Sequence, residues 1–180
     1  LADGGYEVGV HIADVGHYVL DGTRLDAEAL ARGTSVYLAD QVVPMLPERL
    51  SNHLCSLVPE RPRLAYSVIM GFDVRGQRSF VRIEKSVIRS VWRNTYGTVQ
   101  DLLDGGTSPA VEKIRFLERP LRAFQRWTQK QQELRDKKGS LRIQSSEKKF
   151  VFDARHEVVG VVEDPRYFAH ALIEETALAA

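Results

Sequence analysis

RLAYSVIMGFDVRGQRSFVRIEKSVIRS, residues Arg63–Ser90, predicts a β-hairpin. Two runs rich in valine, isoleucine and aromatic residues flank the segment DVRGQ, residues Asp73–Gln77. β-Branched and aromatic side chains favour strands, whereas aspartate and glycine between such runs mark a turn. The earlier segment YEVGVHIADVGHYV, residues Tyr6–Val19, alternates apolar residues with other types and predicts a further strand. The pattern therefore indicates two strands around a turn, with a further strand earlier in the chain.

Helical signals lie on both sides of the hairpin. LDAEALARG, residues Leu25–Gly33, predicts a short helix that ends at its glycine. Thr95 is expected to cap a second helix that runs to about Leu103. A long basic helix is predicted over Pro109–Lys138. Pro120 should kink or divide it, because proline removes a backbone donor and clashes with the preceding turn.

The C-terminal part of the chain predicts short strands with hairpin turns over Gly139–Asp164 and a helix that opens at Pro165. This helix reaches Ala180 without a capping signal, and the first strand begins almost at Leu1. We therefore expect cut edges at both ends. Taken together, the elements predict one α+β domain over residues 1–180, with a mixed β-sheet and packed helices.

The segment GTSVYLADQVVPMLPERLSNHLCSL, residues Gly33–Leu57, fits no regular element and is called the ribbon below. It shows neither helical nor strand periodicity, and Pro44 and Pro47 exclude a helix interior and a central strand. A long irregular segment in a compact domain is usually functional or disordered. Its many large apolar residues favour burial over disorder, and a buried functional ribbon carrying Tyr37 is the expectation.

The composition is that of a soluble globular protein, with 43% hydrophobic and 27% charged residues. No apolar run approaches the ~18 residues of a membrane span, and no signal peptide opens the chain, so we expect no membrane partner. The single cysteine, Cys55, allows no internal disulfide and fits a cytoplasmic location. A nucleophilic Cys55 would need a paired base, and a buried, inert thiol is the favoured interpretation.

Charge is distributed unevenly along the chain. Residues 1–60 carry three Lys/Arg and nine Asp/Glu, residues 61–149 carry twenty and nine, and residues 150–180 carry two and six. A strongly basic middle beside acidic ends suggests a polyanionic partner. The alternative is that much of the basic run is a solvated helix face.

Motifs for metal or nucleophilic chemistry are missing from the sequence. The five histidines show no metal-ligand spacing, and neither a glycine-rich phosphate loop nor a Gly-x-Ser-x-Gly elbow is present. The adjacent glutamates Glu174 and Glu175 point about 100° apart on a helix. They normally form a solvated face, although one of them could project inward beside Ile173 and Leu178.

Six blocks of the sequence nevertheless resemble, in order, successive blocks of the ribonuclease II and ribonuclease R (RNB) family, which includes the catalytic subunit of the eukaryotic exosome. The blocks are GVHIADVGHYV, LDAEALARGTSVYLADQVVPMLPERLSNHLCSL, RLAYSVIM, SVIRS, KKFVFD and AHALIEE. The resemblance implies the central part of an RNB catalytic domain. Family members are processive 3′→5′ exoribonucleases that hydrolyse single-stranded RNA to nucleoside 5′-monophosphates with Mg²⁺. The resemblance further leads us to expect a monomer without a small-molecule cofactor.

Three residues acquire expected roles from this resemblance. Tyr37 matches the tyrosine that stacks on the 3′-terminal base in the family's RNA tunnel, the alternative being a core-filling side chain. Tyr96 matches an RNA-contacting tyrosine near the active site. Glu174 matches a glutamate that hydrogen-bonds the sugars of the terminal nucleotides, and it is the catalytic-site residue we select. A carboxylate that accepts from a 2′-hydroxyl can distinguish RNA from DNA.

The chain also departs from the family pattern. Ile143 stands where phenylalanine is usual, Gly16 where serine is common and Ala171 where arginine is common. The family's metal-binding aspartates lie upstream of the first strand and its catalytic arginine lies beyond Ala180. The Mg²⁺ ligands are therefore expected upstream, none is assigned in this chain, and the 180 residues alone should be inactive. A non-catalytic RNA-binding relative that retains the tunnel is the alternative.

Overall fold

The computed structural model describes residues 1–38, 41–141, 147–155 and 157–180. The described strands are β1 (Tyr6–Ala13), β2 (Val36–Tyr37), β3 (Val42–Val43), β4 (Pro62–Phe72), β5 (Arg78–Arg89), β6 (Glu147–Phe152) and β7 (Val158–Asp164). The described α-helices are α1 (Arg24–Arg32), α2 (Tyr96–Leu103), α3 (Pro109–Ile114), α4 (Glu118–Lys137) and α5 (Phe168–Ala179). Short 3₁₀ or π-helical segments cover Val15–His17, Arg49–Leu54 and Arg115–Leu117.

The predicted hairpin is confirmed and forms the centre of a three-stranded antiparallel sheet in the order β1–β4–β5. Val68 of β4 lies opposite Val10 of β1 on one side and Ile83 of β5 on the other. The first strand is shorter than predicted, because the chain leaves the sheet after Ala13 and turns into the 3₁₀ segment Val15–His17.

The turn between β4 and β5 forms where the sequence predicts it. The carboxylate of Asp73 accepts hydrogen bonds from the backbone N–H groups of Arg75 (2.9 Å) and Gln77 (2.8 Å). Gly76 adopts a φ of 80°, a conformation that glycine reaches without a steric penalty. These local bonds set the hairpin register, and β1 pairs with the other edge of β4.

Two hydrophobic clusters meet along α4. One packs Met70 and Phe72 of β4 against Trp127, with the Phe72 and Trp127 ring centroids 5.1 Å apart. The other joins α2, α3 and α5 through the buried residues Val99, Leu102, Leu103, Val111, Ile114, Ala169 and Leu172. Phe124 packs against both clusters, so α4 connects the sheet to the helical layer.

The predicted long helix divides, but upstream of Pro120. Helix α3 ends at Ile114, a 3₁₀ turn follows over Arg115–Leu117, and α4 begins at Glu118. Pro120 therefore lies in the first turn of α4, where backbone N–H groups have no intrahelical acceptor and proline removes no bond. The helix is therefore interrupted before Pro120, and the proline is compatible with the start of α4.

The predicted start of the last helix at Pro165 is wrong, because α5 begins at Phe168. Tyr167 is still extended, and its backbone N–H donates to Nδ1 of His170 at 3.1 Å. This side-chain acceptor three residues into the helix caps its first turn and sets the boundary. The caps of the two earlier helices, Thr23 and Thr95, accept from N–H groups three residues on, and the predicted helices there are confirmed.

The α+β class is confirmed. The three described sheets pair antiparallel, the smaller two being β2–β3 and β6–β7, and an isolated parallel bridge joins Pro59 to Ser90. None of the helices in the described ranges has the length and apolar character needed to cross a membrane.

Candidate functional site

The ribbon presents Tyr37 to solvent. Val36 and Tyr37 of β2 pair with Val43 and Val42 of β3, and Tyr37 is 77% exposed. Five further large apolar residues of the ribbon are also exposed: Val36, Leu38, Val42, Val43 and Leu54. The expectation of a buried ribbon is therefore wrong for these positions. Two-residue strands form a single thin layer, so their apolar side chains need a second surface to become buried.

Hydrogen bonds nevertheless anchor the ribbon at several points. Arg32, at the end of α1, donates to the carbonyl of Pro44 at 3.0 Å, and the hydroxyl of Ser35 accepts from the N–H of Met45 at 3.0 Å. Further along, Arg63 of β4 donates to the carbonyl of Ser56 at 2.9 Å. Tyr37 thus lies on a segment that is held by hydrogen bonds but whose apolar side chains are exposed.

Tyr96 lies at the start of α2, immediately after the capping residue Thr95, and is 45% exposed. Its ring stacks on the imidazole of His170 in α5, with centroids 3.9 Å apart and planes 22° from parallel. His170 was not predicted as a site residue. A cap signal was available, since His170 follows Tyr167 at the spacing where glutamate or glutamine usually closes a capping box.

The adjacent glutamates of α5 have opposite environments. The carboxylate of Glu174 is 46% exposed and binds Arg166 at 2.7 Å. Glu175 is only 2% exposed and binds Arg135 of α4 at 2.7 Å. The inward glutamate is therefore Glu175, and it does not project beside Ile173 and Leu178, which are exposed. The expectation for those two apolar residues is wrong, because the inner face of α5 consists of Ala169, Leu172, Glu175 and Thr176.

Two of the three selected residues lie on the contacting helices α2 and α5. Tyr96 stacks on His170, and Glu174 lies four residues after His170, one turn further along the same helix face. Tyr37 lies apart, on the β2–β3 ribbon. We call the group Tyr96, Tyr167, His170 and Glu174 the α2–α5 junction.

Many cations of the basic helical region are already paired. The hydrogen bond with Glu112 is the first cause of a raised pKa for Arg115, and the hydrogen bond from Arg122 is the first cause of a lowered pKa for Glu118. Lys130 also lies 3.7 Å from Glu133. These i,i+3 and i,i+4 pairs agree with the solvated-face interpretation for α3 and α4.

A buried carboxylate lies beside the sheet near the ribbon. Asp14 is 4% exposed, and its Oδ2 lies 3.3 Å from Nζ of Lys85. The hydrogen bond to Asp14, followed by its charge, raises the pKa of Lys85. Burial, followed by the same negative charge, raises the pKa of Cys55. A raised pKa lowers the thiolate fraction, in agreement with an inert cysteine.

The other oxygen of this carboxylate, Asp14 Oδ1, is buried without a hydrogen-bond partner within the described ranges. A Cβ atom built on Gly16 would have Oδ1 as a neighbour, at 3.8 Å. The orphaned acceptor therefore faces the position where the family pattern commonly has serine.

No group of three histidine, cysteine, aspartate or glutamate side chains that could hold a metal ion occurs in the part of the chain that is described. Asp14 is held by Lys85, and Glu174 and Glu175 are held by arginines. These residues do not fit a metal centre. Ile143 and His156 lie outside the described residues.

Comparison with known proteins gives consistent matches. The family model for the RNB domain matches residues 1–180. Ribonuclease R from Thermotoga maritima is 44% identical over 176 residues, which cover 97% of this chain and 24% of that protein. Ribonuclease R from Chlamydia pneumoniae is 39% identical over 175 residues, which cover 97% and 25% of the two chains.

A solved structure extends the similarity to the fold. Mycoplasma genitalium RNase R in complex with ribose methylated single-stranded RNA matches with a TM-score of 0.86 and 30% identity. The match covers 96% of this chain and 27% of that one. The chain thus spans about a quarter of the length of these relatives.

Proposed function

The chain belongs to the RNB domain family, and from this membership we propose that it forms part of a metal-dependent, processive 3′→5′ exoribonuclease. In this proposal the intact protein hydrolyses single-stranded RNA to nucleoside 5′-monophosphates in the cytoplasm, as a monomer without a small-molecule cofactor. The observation that carries the proposal is the α2–α5 junction, where an exposed tyrosine and an exposed glutamate lie on neighbouring helices. The solved Mycoplasma relative holds single-stranded RNA.

The two tyrosines supply stacking surfaces in this proposal. An aromatic face stabilises a stacked base by ~1–3 kcal/mol and accepts any base, as degradation without sequence preference requires. Tyr37 would stack on the 3′-terminal base. Tyr96, whose ring already rests on His170, would contact the RNA near the terminal nucleotides.

Glu174 would recognise the ribose of the RNA through a hydrogen bond. Arg166 binds Oε1 of its carboxylate and keeps it oriented, and in our proposal Oε2 accepts a hydrogen bond from the 2′-hydroxyl of a ribose. A DNA strand offers no donor there, so the contact favours RNA. Magnesium would supply the activated water and charge stabilisation at phosphorus. Its ligands are expected upstream of this chain, and the residues described here hold and position the RNA.

The test compares initial degradation rates on matched RNA and DNA oligomers, measured with the intact protein. Glu174→Gln keeps an acceptor but loses the charge, and Glu174→Ala loses both. Because a charge-assisted hydrogen bond contributes ~1.5–3 kcal/mol, the preference for RNA should fall in the order wild type, Gln, Ala. Glu133→Ala is the matched control, since it removes another exposed glutamate from a surface ion pair on α4.

An unchanged preference in both Glu174 variants would show that the sugar is read elsewhere. The non-catalytic alternative makes a different prediction. An intact protein that binds the RNA oligomer, loses affinity in Glu174→Ala and releases no mononucleotide with Mg²⁺ would be an RNA-binding relative.

A further inference from the structure

We propose that His170 is a positioning residue, which holds the ring of Tyr96 in the orientation that lets it act together with Glu174 on the RNA. The inference rests on the proposed function, because it takes Tyr96 and Glu174 as RNA contacts. It adds His170, which the sequence pattern did not indicate, as a support for Tyr96, whereas Tyr96 and Glu174 contact the RNA. His170 itself does not contact the reacting atoms.

The imidazole lies close to two tyrosine rings that are nearly parallel to it. Tyr96 stacks on it at 3.9 Å, and Tyr167 lies at 5.9 Å with planes 14° from parallel. The contact with His170 covers part of the Tyr96 ring, while the residue remains 45% exposed. A ring supported in this way loses little further freedom when a base stacks on it, which is how a preorganised contact gains affinity.

The imidazole is itself fixed by the backbone. Its Nδ1 accepts the N–H of Tyr167 at 3.1 Å. Next to it, the N–H of Ala169 donates to Oε1 of Gln100 in α2 at 3.1 Å. The start of α5 is thus tied directly to α2, and the ring of His170 cannot turn away without losing a helix cap.

The sequence spacing of His170 and Glu174 places the support for Tyr96 near the carboxylate proposed to bind the ribose. His170 and Glu174 are four residues apart on α5, so they lie one turn apart on one face. The ring of Tyr96, which comes from α2, thus rests on His170 about one turn of α5 away from Glu174. A base on the ring of Tyr96 and a ribose at Glu174 would be adjacent groups of the RNA.

Two substitutions separate positioning from capping, because the two roles use different parts of the side chain. His170→Gln keeps an acceptor for the N–H of Tyr167, as in a capping box, but removes the ring. His170→Phe keeps a ring for stacking but removes the acceptor. Each variant of the intact protein is assayed for affinity to matched RNA and DNA oligomers and for thermal stability, beside Tyr96→Ala.

The two His170 variants should have opposite effects on thermal stability and RNA affinity. His170→Gln should melt close to wild type yet lose affinity for RNA roughly fivefold or more, approaching Tyr96→Ala. His170→Phe should melt lower yet keep most of the affinity. A role confined to folding would instead lower affinity and stability together, and that outcome overturns the inference.

Two further outcomes are distinguishable. If Tyr96→Ala weakens RNA binding while His170→Gln does not, the positioning role is wrong and the proposed function stands. If Tyr96→Ala also binds RNA like the wild type, the assignment of the junction as an RNA contact fails, and the inference fails with it.

Discussion

The ribbon and the α2–α5 junction both present an aromatic residue, but they hold it in different ways. Tyr96 rests on the ring of His170, above a cluster that includes the buried residues Leu102 and Leu172. Tyr37 lies on a two-residue strand and is 77% exposed. At the junction, positioning and folding share the same helices, whereas the ribbon adds little to the packed core. Substitutions in the two regions should therefore affect different measurements.

The largest effect is expected on the inner face of α5. Glu175→Ala leaves Arg135 without its buried partner, and breaking such a pair costs ~3–5 kcal/mol, toward the lower end here because Arg135 is half-buried. Glu174→Ala removes an exposed pair worth ~0–1 kcal/mol. Urea denaturation of both variants measures the difference. Equal free energies of unfolding would remove the distinction between the two faces of α5.

Next in size is the effect on the ribbon. Tyr37→Ala should weaken binding of the RNA 3′ end by ~1–3 kcal/mol and make degradation stop at longer end products. Its free energy of unfolding should change by less than ~0.5 kcal/mol, because the side chain is exposed. Tyr37→Phe retains the ring and serves as the control. Wild-type affinity together with a clear loss of stability in Tyr37→Ala would identify the residue as core.

The smallest effect is expected beside the sheet, where Asp14 and Cys55 lie close enough for the charge of Asp14 to raise the thiol's pKa. Gly16→Ser places a hydroxyl near the orphaned Oδ1 of Asp14 and should stabilise the protein by ~0.5–1.5 kcal/mol through that bond. Gly16→Ala is the control, because it isolates the change in unfolded-chain entropy. Thermal melting of both variants gives the difference. A serine variant no more stable than the alanine variant would contradict the proposed bond.

Local signals account for the parts of the fold that were predicted well. Asp73 and Gly76 define the turn between β4 and β5, and Thr95 caps α2. Each of these signals acts within about four residues, so its partner is contained in the same short segment. Pro120 shows the limit of such signals. The sequence predicted a break at the proline, but proline is tolerated in the first turn of a helix, and the break lies upstream of it.

The candidate site was predicted only in part. Tyr37, Tyr96 and Glu174 were selected by resemblance, and their roles stay predictions. His170 was missed as a support for Tyr96, because its contact joins residues 74 positions apart in the sequence. The exposure of the ribbon was also missed, since apolar content indicates a need for burial without showing which surface provides it.

By itself, the sequence determined the α+β class, the hairpin of β4 and β5, the cap of α2, and membership in the RNB family. Only the tertiary structure decided which of two adjacent glutamates faces inward, which ring supports Tyr96 and whether the ribbon is covered. The physical reason is the distance along the sequence over which each interaction acts. Caps and turns are satisfied by atoms a few residues away, whereas burial depends on which distant helices and strands pack together.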